Sequence, residues 1–324
     1  MLHFFIINNS IILIEVNIMK KLLLMLSFVV LFLSLASCSV GSGTKYKMIL
    51  PSGTPAIAMS SFIEMNEVEA EVVSGSDPLI AAFTQGEYDF IVAPVNLGVK
   101  FYNSSNSFDY VLYRPIVGCN YFILSTEVSS FAELDGKEIT IFGRNATPGV
   151  MFSTLCKYYN IEPVVTYADS VADVNPLLVS GRAKTILTAE PSKSVIEGTG
   201  NYNVIDLAAL WREISGSSLD VPQAGLFIKK SLVGKSELTK ILNKIEESIQ
   251  FVVDHPDSAA LLVAKIDSNL AKMNAEKLIQ AIPNCNLLTH PLVVAEVEYY
   301  CEKVIAAGLA GTIGGKVPDE GFYY

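Results

Sequence analysis

Histidine and cysteine are scarce in this chain, three and five among 324 residues. Cys119, Cys156, Cys285 and Cys301 lie far apart with no zinc-like spacing, so no metal site is expected. Positive charge is also short, with 23 Lys and Arg against 33 Asp and Glu and a formal net charge of −10. A protein that coats nucleic-acid phosphates needs clustered basic residues, and nucleic acid is therefore excluded as a partner. The H-E-x-x-H, C-x-x-C and G-x-S-x-G patterns are missing. Gly234-Lys235-Ser236 imitates the end of a phosphate loop, but Lys229 stands where its first glycine is required. These absences leave no catalytic residues and no cofactor to expect. What is present is 51% hydrophobic and 17% charged, long enough for one large or two ordinary domains.

The N-terminal region carries an address. Met19-Lys20-Lys21 precedes an apolar run from Leu22 to Leu35. Fourteen helical residues reach about 21 Å, short of a bilayer core of about 30 Å. A basic start, a short apolar stretch and then small residues describe an export signal over residues 19–37. Residues 1–18 lie upstream of this better start. Leu35-Ala36-Ser37-Cys38 resembles the lipobox of bacterial lipoproteins, which implies lipid on Cys38. Residues 38–44 read as a small-residue tether. No later apolar run approaches a membrane span, so the expectation is an envelope protein held on the outer side of the membrane by lipid.

Beyond the tether one pattern occurs twice. Lys47–Leu50 and Glu138–Phe142 read as strands, and each leads through a turn to a Thr-Pro pair, Thr54-Pro55 and Thr147-Pro148. Threonine as N-cap with proline at the first helical position predicts a helix start in both places. Each helix leads to a short strand, Glu69–Val73 or Pro163–Tyr167. A second helix follows, entered near Pro78-Leu79 or Pro176-Leu177. A glycine, Gly86 or Gly181, then precedes an apolar strand ending at Pro94 or Pro191. Two such units predict two α/β lobes. Lobe 1 is expected over 45–118, lobe 2 over 119–228, and a helical return over 229–324 packs on lobe 1. Tyr110–Ile116, Asn120–Ser125 and Gln223–Ile228 are the expected crossovers between the lobes.

Four segments then carry a resemblance: Gln85-Gly86-Glu87-Tyr88-Asp89-Phe90-Ile91, Phe131 through Ile139, Ala189-Glu190-Pro191, and Pro318 through Tyr324. From about Lys45 onward the chain resembles a type II periplasmic solute-binding protein of an ABC transporter, in the branch that includes sulfonate, taurine, nitrate and thiamine-precursor binders. Lys184-Thr185 departs from the pattern, which usually has an acidic residue there. The resemblance implies a two-lobed type II periplasmic-binding-protein fold with a ligand cleft between the lobes. It further implies a monomer that captures a small polar or anionic organic solute by hinge closure and hands it to a permease and its ATPase. The alternatives are an enzyme of the menaquinone-pathway type on the same fold, and a solute receptor for a membrane sensor.

Open α/β sheets bind ligands beyond the carboxyl ends of their strands. In the first unit these ends carry Ser52, Gly53, Thr54, Pro55, Ser74 and Asn96. In the second they carry Asn145, Thr147 and Glu190. Gly53 lets backbone approach a ligand, while Thr54 and Thr147 bring hydroxyls and unpaired N–H groups at helix N-termini. Asn120, Tyr121 and Gln223 are expected on the hinge side. The competing expectation is that the threonines only cap their helices and that Tyr121 is core. Trp211 is expected to pack rather than bind. Cys285 and Cys301 are either bonded to each other or buried thiols, and His255 and His290 sit before prolines at expected helix starts.

Overall fold

The computed structural model describes residues 45–324. The export signal, Cys38 and the tether lie outside the described residues. Along the chain the first unit runs β1 (Tyr46–Pro51), α1 (Thr54–Glu64), β2 (Val68–Val73), α2 (Asp77–Gln85), β3 (Phe90–Pro94) and α3 (Val95–Ser104). Two strands follow, β4 (Tyr110–Gly118) and β5 (Tyr121–Ser125). The second unit is β6 (Glu138–Phe142), α4 (Thr147–Tyr159), β7 (Val164–Ala168), α5 (Val171–Val179), β8 (Thr185–Ala189) and α6 (Ser192–Glu197). Then come β9 (Asn203–Asp206), α7 (Leu207–Ser215), β10 (Pro222–Lys229) and the helices α8 (Ser236–Asp254), α9 (Pro256–Ile266), α10 (Ala275–Ala281) and α11 (Val294–Ala306).

These strands form two five-stranded sheets, ordered β2-β1-β3-β10-β4 and β7-β6-β8-β5-β9. Each has a parallel trio and an antiparallel fourth strand, β10 against β3 and β5 against β8. The chain leaves each sheet by its edge strand and enters the other as its fourth strand. The duplicated pattern in the sequence is thus a duplicated topology. Pro115 lies in β4, which pairs with one strand only, through an irregular register opposite β10; an edge strand tolerates the missing donor.

The helices follow their apolar patterns. From Thr54 to Phe62 every residue of α1 is buried, as expected of a helix apolar all round. It is covered on its far side by α8 and α9. The apolar stripe of α8, Leu238, Ile241, Leu242, Ile245, Ile249 and Val252, is the face it buries. One core lies between these helices and the first sheet, around Met48, Leu50, Phe62 and Phe90. The larger core continues from the other face of that sheet into the second, from Phe83 and Phe227 through Tyr300 to Trp211. The helical return is divided: α8 and α9 lie on α1, whereas α10 touches α6 and α11 reaches α4.

Three local expectations are corrected. Neither threonine is an N-cap. Gly53, with φ 96° and ψ −141°, caps α1, and extended Ala146 caps α4. Thr54 and Thr147 are the first helical residues, so their hydroxyls are turned to other work. A positive φ of that size is open to glycine at little cost. Pro176 does not open α5, which starts at Val171 with Asp173 accepting from the Ser170 N–H at 3.1 Å. Proline lies inside that helix instead. Pro291 does not start α11, which begins at Val294. Trp211 packs as expected, with 1% exposure and its ring 5.7 Å from that of Tyr300. Cys285 and Cys301 are buried free thiols, and burial pushes Cys301 up to about 12.

Candidate functional site

The carboxyl ends of β1, β2, β3, β6 and β8 converge on one cavity of about 720 Å³, within the range of small-molecule sites. Ser52, Gly53, Thr54, Pro55, Ser74, Tyr121, Glu190 and Gln223 line it. Asn96, Asn120, Asn145 and Thr147 do not, although the same seam holds them.

Their polar groups are spent between the two sheets. The Thr54 hydroxyl donates to the Glu190 carbonyl at 2.7 Å and accepts from Asn120 Nδ2 at 2.9 Å. The same Nδ2 donates to the Cys285 carbonyl at 2.9 Å, and the Asn120 N–H donates to Gln223 Oε1 at 3.1 Å. On the other side, the Thr147 hydroxyl shares its one hydrogen between the Gln223 carbonyl at 3.0 Å and Asn96 Oδ1 at 3.2 Å. Asn96 Nδ2 then donates to the Asn145 carbonyl at 2.8 Å, while the Asn145 side chain is exposed. Thr54 and Thr147 are 2% and 0% exposed. Because bonded partners sit on opposite sheets, the bonds hold the two halves together over the cavity. The expectation of two free hydroxyls facing a ligand is thereby replaced by two hydroxyls that close the seam.

The crossovers are tied as well. Asn286 Nδ2 reaches the Cys119 carbonyl at 3.1 Å and Asp220 Oδ2 at 2.7 Å, one in each crossover. Its own carbonyl accepts from the Gly118 N–H at 2.9 Å. At φ 52° this asparagine occupies a left-handed position that its residue type tolerates.

Two carboxylates shape the electrostatics. Glu190 accepts from the Ser194 N–H at 3.1 Å and the Ser194 hydroxyl at 2.8 Å, with Lys193 at 4.0 Å. Burial nevertheless raises its pKa above the ordinary carboxyl range, outweighing those bonds. Asp267, 1% exposed, accepts from the Ser52 hydroxyl at 2.8 Å and the Gly53 N–H at 2.9 Å. Beside it Asn269 Nδ2 donates to the Ser52 hydroxyl at 3.2 Å. Tyr121 is buried, with its ring centroid 6.0 Å from that of Phe142, so it is both core and cavity wall.

Sequence reasoning missed Asp267, Asn269, Phe142, Leu270 and Met273, the last four lining the cavity. No local pattern marks them: Asp267 meets Gly53 across 214 residues of chain. His255 and His290 do not line the cavity. Its walls are mainly apolar with a few converging hydroxyls, amides and one buried carboxyl, an arrangement suited to enclosing a small organic molecule. Among the described residues no group of three or more His, Cys, Asp or Glu could hold a metal ion, and no helix is long and apolar enough to cross a membrane.

A family model described as menaquinone biosynthesis matches residues 57–280. No curated protein matches the chain by sequence. Among solved structures, an ABC transporter protein from Parabacteroides distasonis is similar at 18% identity and a TM-score of 0.67, covering 87% of this chain and 99% of the other. The periplasmic aliphatic sulphonate binding protein of Escherichia coli is similar at 10% identity and a TM-score of 0.62, over 81% and 86% of the two chains. A Candida albicans protein with the generic periplasmic binding protein fold is similar at 13% identity and a TM-score of 0.57, over 82% and 90%. At these identities the likeness is one of fold. Two five-stranded sheets flanked by helices, exchanging their fourth strands, are that fold.

Proposed function

We propose that this chain, which belongs to the menaquinone biosynthesis family and has the periplasmic-binding-protein fold, is a solute-binding component of an ABC importer. It captures a small organic molecule between its two halves and presents the closed form to a permease and its ATPase. The observation that carries this reading is the cavity bridged by Thr54–Glu190 and Thr147–Gln223. Those bonds exist only when the halves meet, so a ligand that favours the closed arrangement shifts the population toward it. The halves turn about the crossovers that Asn286 ties. The neighbours described as an ABC transporter protein and a sulphonate binding protein support transport. The lipobox-like Leu35–Cys38 supports an extracytoplasmic protein anchored by lipid on Cys38.

A second reading is an enzyme of the menaquinone pathway, favoured by the description of the matching family. In that reading the buried carboxyl of Glu190 is the group available for proton transfer. One experiment separates the two. Thermal-shift screening of the purified protein against a metabolite panel finds the ligand, and mass spectrometry after prolonged incubation reads its fate. Saturable binding with the ligand recovered unchanged supports the transport reading. Chemical conversion of the ligand overturns it in favour of the enzyme.

A further inference from the structure

Two side-chain amides on the cavity wall have unused nitrogens. Gln223 is 7% exposed and lines the cavity. Its Oε1 accepts the Asn120 N–H at 3.1 Å. A backbone N–H can only donate, so this bond fixes which end of the amide is oxygen. The Thr147 hydroxyl bonds the Gln223 backbone carbonyl rather than the amide. Nε2 is left without a hydrogen-bond partner among the described residues. Strand β10 slips its register against β4 between Pro222 and Ala224, and a bulge of this kind re-aims a side chain. The residue at the slip is Gln223.

Asn175 repeats the arrangement from the second half. It lies on α5, is 8% exposed and lines the same cavity. Its Oδ1 accepts from the Thr188 hydroxyl at 2.8 Å, and Nδ2 has no partner among the described residues. Orphaned polar atoms elsewhere, such as Asn120 Oδ1 and the Tyr300 hydroxyl, are sealed inside the protein. The two amide nitrogens are not sealed in this way, and both residues stand on the cavity wall. An unpaired amide donor in a closed apolar space is costly, and an acceptor brought by the ligand removes that cost.

The rest of the wall asks for little polarity. The Ser52 hydroxyl donates to Asp267, and the Glu190 carboxyl accepts twice from Ser194. Around these stand Leu79, Phe142, Val171, Ile196 and Met273, which reward an apolar body.

We propose that Gln223 and Asn175 determine specificity as free amide donors, and that the ligand is an apolar-bodied organic molecule whose carbonyl oxygen accepts from them. This rests on the solute-binding reading and deepens it by naming the ligand's chemistry.

The test uses two probes of nearly the same shape, acetophenone and α-methylstyrene, in which a carbonyl oxygen is exchanged for a methylene group. Ligand-observed NMR titrations of the full chain measure both affinities. Wild-type protein is expected to bind acetophenone saturably and roughly two- to tenfold more tightly than α-methylstyrene, as one net hydrogen bond gives. The double variant Gln223→Glu/Asn175→Asp keeps the acceptors for Asn120 and Thr188 but replaces both nitrogens by oxygen. It is expected to lose the preference for acetophenone while still binding α-methylstyrene. Gln223→Met/Asn175→Leu, which removes the donors without adding charge, serves if the first variant does not fold. A wild type that binds neither probe, or binds both equally, would overturn the proposal. So would a folded double variant that keeps the preference, since the amides would then only tie Asn120 and Thr188. The metabolite screen separates this from the underlying reading. A ligand without a carbonyl that is recovered unchanged sinks the role of the two amides and leaves solute binding standing. Chemical conversion of a carbonyl ligand overturns transport, while the two probes still report what the amides recognise.

Discussion

Thr54→Val isolates the seam between the two halves. Valine matches threonine in shape, and Gly53 rather than Thr54 is the cap of α1, so neither a cavity nor a lost cap confuses the result. What disappears is one donor to the Glu190 carbonyl and one acceptor for Asn120 Nδ2. Asn120 Nδ2 keeps its bond to the Cys285 carbonyl, whereas Asn120 Oδ1 is already buried without a partner. At about 0.5–1.5 kcal/mol for each net hydrogen bond, the loss is about 1–3 kcal/mol. The Glu190 bond joins opposite halves, so its share falls on the closed form. If the whole loss does so, affinity for the ligand found by screening weakens roughly 5- to 140-fold, at 1.4 kcal/mol for each factor of ten. Calorimetry on wild type, Thr54→Val and Thr54→Ser measures this, with melting recorded beside it. Serine keeps the hydroxyl and is expected to stay within a few-fold of wild type. Valine binding as tightly as wild type, with serine unchanged too, would refute the claim that this hydroxyl holds the halves closed.

Other perturbations probe separate parts of the molecule. Glu190 has a raised pKa because burial disfavours its charge, so the folded state binds its proton more tightly than the unfolded chain. Its contribution to stability is fully present below the ordinary glutamate value of about 4.3 and is lost as pH rises through the folded pKa. Melting curves across this window should show wild type falling relative to Glu190→Gln as pH rises; parallel curves would contradict the assignment. Asn286→Gly keeps the left-handed backbone but removes the bonds to Cys119 and Asp220. It should melt lower and sample a wider range of sizes in X-ray scattering without ligand, and an unchanged scattering profile would show that Asn286 does not restrain the crossovers. Cys38→Ala should shift the protein from the membrane fraction to an unprocessed or released form. Wild-type protein with a free N-terminus elsewhere than Cys38 would count against lipid anchoring.

The sequence by itself determined the secondary structure and its duplication. Strand, turn, Thr-Pro and helix recur at Lys47–Ala56 and Glu138–Gly149 because apolar periodicity, glycine turns and proline at helix starts act within a few residues. The match of those segments to β1, α1, β6 and α4 follows from that locality. The ends of the strands also placed six of the candidate residues, Ser52, Gly53, Thr54, Pro55, Ser74 and Glu190, on the cavity wall, since the carboxyl edge of a parallel sheet follows from strand direction. Only the tertiary structure decided what each polar group does there. Thr54 carries the same local signature whether its hydroxyl caps a helix, meets a ligand or bonds Glu190 across 136 residues. Asp267, in an unremarkable Asp-Ser-Asn stretch after α9, becomes the acceptor for α1 only because α9 packs on α1. Hydrogen-bond partners are chosen by proximity in space, and proximity between distant segments is set by the packing of whole sheets and helices. Local residue patterns carry the elements, and the meeting of those elements assigns their side chains.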